Sequence, residues 1–405
     1  MSTNIKVLLD ELANRTEIAP ATASDTLGRA RRLQRRRLVR GSVGVAAAAT
    51  LVTAAVTAFP AIDDHPGVDA AGPSPAVRTM SSSPLGAREF AAAASVQGSL
   101  FVWGGRELSA GQPTAASSGR PLDDGATYDP ATNAWSTVPA SPLAARQSAA
   151  AVETDTGVLV VGGRAGDTLF NDAATYSLAD RTWTRLPSAP NCPSTGVSLG
   201  GSVVVGGACG PGGPVLASFD LTSQTWTTLP NPPVNLVQRV LDWNGAVVVV
   251  DEVGAAAVLP PGASTWTAVG PIAGVDYAIQ PPLFTVAGGT LIAITTGESS
   301  TSNFTEAFAL TDVTSGWAPV AELPGAPSTV VQPTSSGDLV VWSADTRACF
   351  LDVEARRASC PSMTQPLPSF GSVWLALGDV VVTWGGHNDV DVSGPDVVGY
   401  VLTHP

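Results

Sequence analysis

Five tryptophans recur within one phrase along this chain, and that recurrence restricts its fold more than any other feature. The phrase runs from an apolar residue through a turn to Trp: Tyr128-Asp129-Pro130-Ala131-Thr132-Asn133-Ala134-Trp135, Tyr176 to Trp183, Phe219-Asp220-Leu221-Thr222-Ser223-Gln224-Thr225-Trp226, Val258 to Trp266 and the looser Leu310 to Trp317. Successive tryptophans stand 48, 43, 40 and 51 residues apart. Upstream lie apolar runs, four of them ending in a Gly pair: Phe101-Val102-Trp103-Gly104-Gly105, Leu159 to Gly163, Val203 to Gly207 and Val380 to Gly386. At such a period each unit is one supersecondary motif that cannot bury its apolar face alone, and stacking the units makes the core. The β-branched runs, punctuated by 41 Gly and 33 Pro, call for many short strands.

Strand, Gly pair, loop, aromatic-Asp strand, turn and Trp make a pattern that resembles a Kelch repeat from about residue 76 to the end. The resemblance implies an all-β fold, a seven-bladed β-propeller of four-stranded blades. Seven apolar runs fit it: Phe101 to Trp103, Leu159 to Val161, Val203 to Val205, Val247 to Val250, Leu291 to Ile294, Leu339 to Trp342 and Val380 to Thr383. These runs are expected to be the inner strands, with glycine allowing close backbone approach around a central channel. Trp is expected to fill the gap between blades. The segment Ala76 to Arg88 matches the fourth-strand phrase Trp135 to Arg146, with Val77 or Arg78 near the Trp position, so an N-terminal strand should complete the last blade and remove the open edges. Asp251-Glu252, Thr296-Gly297 and Ser343-Ala344 replace the Gly pair in blades four to six, and Ala358 stands where blade six should carry Trp. Six blades are the alternative.

Before the repeats, residues 1–40 form a basic tail, with nine Lys/Arg against four Asp/Glu, whereas residues 60 to 405 carry twelve against thirty. The acidic body argues against nucleic acid as a partner. Residues 41–59, GSVGVAAAATLVTAAVTAF, carry no charge and as a helix would span about 28 Å, one hydrocarbon core. The basic block Arg31 to Arg40 should hold the tail in the cytoplasm and send the rest outward, as a single-pass cell-membrane protein with an extracellular propeller. A cleaved export signal is the competing reading, since Arg35-Arg36-Arg37-Leu38-Val39-Arg40 resembles a twin-arginine motif. Ile5, Leu8, Leu9 and Leu12 fall on one helical face, so the tail either docks a cytoplasmic partner, as in the anti-sigma-factor tails it resembles, or lies on the membrane. Residues 60–75, PAIDDHPGVDAAGPSP, read as a stiff spacer, and 76–405 as the propeller. One Lys against twenty Arg fits a GC-rich bacterial genome.

Four cysteines beyond the apolar segment suit an oxidising compartment. On the blade scheme, Cys192 pairs with Cys209 and Cys349 with Cys360. No Cys-x-x-Cys or adjacent His favours metal instead.

Kelch propellers include the copper enzyme galactose oxidase, a resemblance that implies two histidines, two tyrosines and a cross-linked cysteine. This chain has His65 in the spacer, His404 at the tail and only His387 on a plausible loop. Sialidase-like boxes, Gly-x-Ser-x-Gly, Walker and dinucleotide fingerprints are missing. The expectation is therefore of no catalytic site, cofactor or metal, the Asp389 and Asp391 loop being a solvated turn rather than a Ca²⁺ site. The function expected is non-enzymatic recognition of an extracellular protein or glycan; the alternatives are a transmembrane sensor and an undetected carbohydrate-active enzyme. Loops after second strands and loops entering each blade should share one face. Its candidate residues are Arg88, Arg106, Glu107, Arg120, Asp123, Asp124, Arg146, Arg164, Asp167, Asn171, Asp172, Arg239, His387, Asn388 and Asp389.

Overall fold

The computed structural model describes residues 76–108, 119–210, 213–273, 275, 282–298, 303–324, 328–343, 348–360, 371–386 and 399–403. The basic tail, the apolar segment 41–59 and the spacer lie outside them, as do His387, Asn388 and Asp389. Among the described residues there are strands and no helix, and so none long and apolar enough to cross a membrane.

Seven four-stranded antiparallel sheets follow one another along the chain. In blade one, Ala92–Val96, Ser99–Trp103, Gly125–Asp129 and Ala134–Val138 pair in sequence order. Blades two to six repeat this order, and the seventh joins Val373–Leu377, Val380–Trp384 and Tyr400–Thr403 to the N-terminal strand Ala76–Thr79. There Ala76 pairs with Thr403 and Val77 with Leu402. The count is seven, and the closure expected at the N-terminus is present.

The apolar runs are not the innermost strands. The ring around the channel is built by the strand before each of them, beginning with Ala92–Val96, Ala150–Thr154, Pro193–Leu199 and Arg239–Trp243 and ending with Val373–Leu377. The runs are second strands, with a partner on either side and a blade against each face. Side chains alternate across a strand, so Phe101 and Trp103 enter the layer between blades one and two, while Leu100 and Val102 enter the layer between blades seven and one. Val158 and Val160 likewise face blade one, and Leu159 and Val161 face blade three. A strand buried on both faces has no polar side, which is why these stretches read as unbroken apolar runs.

The repeat phrase is a cross-strand pair. Tyr128 lies opposite Trp135, Tyr176 opposite Trp183 and Phe219 opposite Trp226, with ring centroids 5.0, 5.2 and 4.7 Å apart. Each indole N–H then donates to a backbone carbonyl of the preceding blade: Trp135 to Ser81 at 3.0 Å, Trp183 to Pro139 at 3.0 Å, Trp226 to Pro187 at 2.8 Å, Trp266 to Pro230 at 3.0 Å and Trp317 to Gly270 at 2.8 Å. From Trp183 on, the acceptor stands four residues after the previous Trp. Ser81 stands four after Val77, which therefore holds the Trp position of the seventh blade. In blade six Leu351 faces Ala358, with no ring to staple; Cys349 and Cys360 are bonded two positions beyond that pair, past Phe350 and Ser359. The second disulfide joins Cys192 to Cys209, Cα to Cα 4.9 Å, as expected.

Candidate functional site

The Gly pairs also act away from the channel. Gly104, Gly105, Gly162, Gly163, Gly385 and Gly386 have positive φ and end second strands on one face of the propeller. Gly105 N–H donates to the Arg146 carbonyl, Gly163 N–H to that of Pro193 and Gly386 N–H to that of Arg88, each at 2.9 Å. The pairs clamp the segment leading into the next blade. A Cβ at Gly105 would lie 2.9 Å from the Glu89 carbonyl oxygen, so the clamp requires glycine for space as well as for φ. Gly206 and Gly207 differ: they lie inside the strand Ser202–Gly207.

Beside each of the first two clamps sits a buried arginine. Arg88, 1 % exposed, reaches Asp124 with two hydrogen bonds of 2.7 and 3.0 Å and the Gly104 carbonyl at 3.1 Å. Arg146, also 1 % exposed, repeats this with Asp172 at 2.5 and 3.1 Å and the Gly162 carbonyl at 3.0 Å. The Arg88 hydrogen bond holds the Asp124 carboxyl below the usual range. Burial alone would raise that of Asp172; the Arg146 hydrogen bond and charge outweigh it and leave it lowered. Arg88 and Arg146 were expected on the binding face, but both are interior struts whose donors are spent on protein acceptors.

Arg106 is buried as well, its guanidinium paired with Glu89 and 5.2 Å from the Phe90 ring centroid. Glu107 and Arg120 form an exposed pair at 3.5 Å, a geometry that contributes little in water. Asp123 is exposed, and Asn171 donates to the Ala189 carbonyl at 3.0 Å. Arg239 lies at the channel mouth, apart from the others.

What the fold does bring together is Arg106, Arg164 and Asp167, around a cleft of about 140 Å³ between the loops of blades one and two, with Gln147 and Pro121 in its wall. Two short pairings set it in place: Glu89 opposite Arg106 in blade one, and Gln147 opposite Arg164 in blade two, the latter with reciprocal backbone hydrogen bonds of 2.9 Å. These are equivalent positions of the repeat, and they differ in one respect. Blade one closes an ion pair; blade two has an amide where the carboxylate would be. Arg164 is exposed and has no carboxylate within ion-pair distance among the described residues, and the buried Gln147 Oε1 meets no donor there. A buried acceptor without a donor costs about 1 to 3 kcal/mol. Gln147 was missed in the sequence, although its place directly after Arg146, as Glu89 follows Arg88, marks it.

No family model matches this chain, and no curated protein does. Among solved structures, the chain is similar to a fungal alcohol oxidase of the AA5 family in complex with copper: 14 % identity, 82 % of this chain and 77 % of that one, TM-score 0.58. The structure of YjhT aligns at a TM-score of 0.44 with 14 % identity, over 59 % of this chain and 86 % of that one. The first likeness is of fold, and it corrects the expectation that this chain is not an enzyme: a propeller of this arrangement carries an alcohol oxidase, so the lack of a legible catalytic motif does not argue against catalysis. The copper of that oxidase has no counterpart donor set among the described residues here. No three His, Cys, Asp or Glu side chains converge there, all four cysteines are in disulfides, and Tyr128 and Tyr176 are buried against Trp135 and Trp183.

Proposed function

We propose that this chain is a membrane-tethered, extracytoplasmic propeller of the Kelch type that captures a hydroxyl-rich ligand, a glycan, in the cleft between blades one and two. One observation carries the reading: the Glu89–Arg106 pair of blade one becomes Gln147 and Arg164 in blade two, leaving a guanidinium and a buried amide oxygen unmatched beside Asp167. Cation, carboxylate and amide acceptor around a small cleft suit a polyhydroxylated ring, whose hydroxyls both donate and accept. The tether rests on the basic block and the uncharged run 41–59.

Gln147→Glu tests it by recreating the blade-one ion pair. On an array of glycans the full-length protein should bind a subset, and Gln147→Glu should weaken that binding by about tenfold or more while leaving the melting temperature unchanged or higher. Undiminished glycan binding by the variant would remove the cleft from the site; capture of a protein through the same residues, with no glycan bound, would replace the ligand class. The oxidase likeness supplies a second reading, oxidation of an alcohol, which hydrogen peroxide release from sugar alcohols by the full chain in air would support and its lack would reject.

A further inference from the structure

On the loop face the channel opens into a cavity of about 560 Å³. Its wall is made by the starts of inner strands from blades one, two, three, four and seven, including Ala93, Ala151, Ser194, Thr195 and Arg239. Backbone hydrogen bonds of 2.9 Å, from Phe90 N–H to the Gly371 carbonyl and from Ser148 N–H to the Phe90 carbonyl, tie blades seven, one and two around the rim. The rim is thus tied by backbone, and the wall runs from small side chains such as Ala93, Ala151 and Ser194 to the larger Phe90 and Trp374.

Arg239 is the one charged residue among the described residues that line it. Its Nη1 donates to the Phe284 carbonyl of the next inner strand at 3.3 Å, and among the described residues no carboxylate lies within ion-pair distance. Arg239 is half-buried, and burial lowers its pKa, yet a guanidinium stays charged, so its partial loss of water is met by that one carbonyl and by no described counter-ion. The fold does not require a charge at this position. Arg239 pairs with Val250 at the end of the second strand, as Ala150 pairs with Val161 and Val373 with Trp384; apolar side chains serve there in other blades. A guanidinium with donors to spare beyond its bond to Phe284, in an open chamber whose wall carries hydroxyls on the neighbouring inner strand, is the chemistry that takes a carboxylate bearing hydroxyl groups.

We infer that the channel mouth binds a small hydroxycarboxylate, with Arg239 holding the carboxylate and the hydroxyls of Ser194 and Thr195 meeting the hydroxyl end. This site shares no residue with the cleft of blades one and two. Calorimetric titration of the full-length protein in detergent with gluconate, with glucose as its uncharged counterpart, tests it. Gluconate should bind and glucose should not; Arg239→Met should weaken gluconate by about tenfold or more at an unchanged or higher melting temperature. Arg239→Lys, which keeps charge and loses the fork, should fall between, and it decides the matter if the Met variant does not fold. Gln147→Glu should leave gluconate affinity untouched, so this site and the cleft succeed or fail separately. Gluconate binding that is absent at millimolar concentration, or unaltered in both Arg239 variants, would overturn the inference and leave Arg239 as a strut on the Phe284 carbonyl.

Discussion

Replacing the cysteines of each disulfide by alanine should show that the two bonds stabilise by different means. Cys192 and Cys209 close 17 residues and Cys349 and Cys360 close 11. Chain entropy alone assigns them about 3.1 and about 2.8 kcal/mol, with the longer loop slightly ahead. Packing reverses the order. Cys349 and Cys360 are 3 % and 5 % exposed, in the layer where Ile292, Val320 and Leu323 of blade five meet Val341, Leu351 and Ala358 of blade six, whereas Cys209 is exposed and Cys192 half-buried. Losing two buried sulfurs leaves a void worth about 1 kcal/mol each, so Cys349→Ala/Cys360→Ala should cost about 4 to 5 kcal/mol and Cys192→Ala/Cys209→Ala about 3. A body of this length has an unfolding entropy of about 0.7 kcal/mol/K, which turns these costs into falls of about 6 to 7 °C and about 4 °C. Scanning calorimetry of the full chain without reductant measures both. Equal falls, or a larger one for Cys192→Ala/Cys209→Ala, would refute the packing argument and with it the view that the bond in blade six stands in for the missing Trp at Ala358.

Acid should loosen the struts: both Asp124 and Asp172 are held below the ordinary carboxylate pKa, so their contribution is complete above about pH 4 and is lost as pH falls through the lowered folded-state values. Thermal melts from pH 6 down to 2 should therefore show a steeper loss for the wild type than for Asp124→Asn/Asp172→Asn, and parallel curves would count against the struts. Gly162→Ala should destabilise by several kcal/mol, because a Cβ would overlap the Pro193 carbonyl oxygen at φ +73°, while Gly166→Ala, at φ +58° with nothing nearby, should cost only about 1 to 2; equal denaturation midpoints would contradict the clamp. If the chain is tethered through its N-terminus, thiols placed at Asp123 and Asp167 should react faster with a bulky reagent in intact membranes than one at Ala76, since Ala76 and Thr403 end their strands on the face opposite the Gly clamps; equal rates would reject that orientation.

Much of the fold was legible because its inter-blade contacts are short in sequence. An aromatic residue faces a Trp seven positions on, and the indole reaches a carbonyl fixed relative to the previous Trp, so the phrase Tyr128 to Trp135 encodes both a hairpin and a blade-to-blade contact. The sequence leaves Val77 or Arg78 for the Trp position of the seventh blade, and the Trp135 bond to Ser81, four residues after Val77, selects Val77. The innermost strands were harder to identify, since unbroken apolar character belongs to the strand with neighbours on both sides. The ring strands include residues such as Ser95, Gly196 and Arg239 and read as loop. The Gly pairs point to the channel only for want of their partners, which lie 30 or more residues away, and for Gly386 near the other end of the chain, where the next blade is entered.

The site was less legible, and the reason is electrostatic. Sequence shows charges without saying which of them meet, so Arg88, Arg106 and Arg146 looked the same as Arg164 and Arg239, although the first three are buried on carboxylates and the last two are not. The repeat itself separates them. Pro84-Leu85-Gly86-Ala87-Arg88 and Pro142-Leu143-Ala144-Ala145-Arg146 carry the same strut, each with an Asp before the third strand, at Asp124 and Asp172. What recurs in register is there to hold blades together, because every blade faces the same packing problem. What breaks the register has no such duty: Gln147 where blade one has Glu89, and Arg239 where other blades have Ala150 and Val373. The first leaves the Gln147 Oε1 without a described donor and the second leaves Arg239 with a carbonyl but no described counter-ion, each at a cost that a purely structural repeat would avoid by keeping the consensus. Both fall on the loop face, beside cavities, and that conjunction of broken register, unmet hydrogen-bonding groups and open space singles them out from the other charges on the same surface.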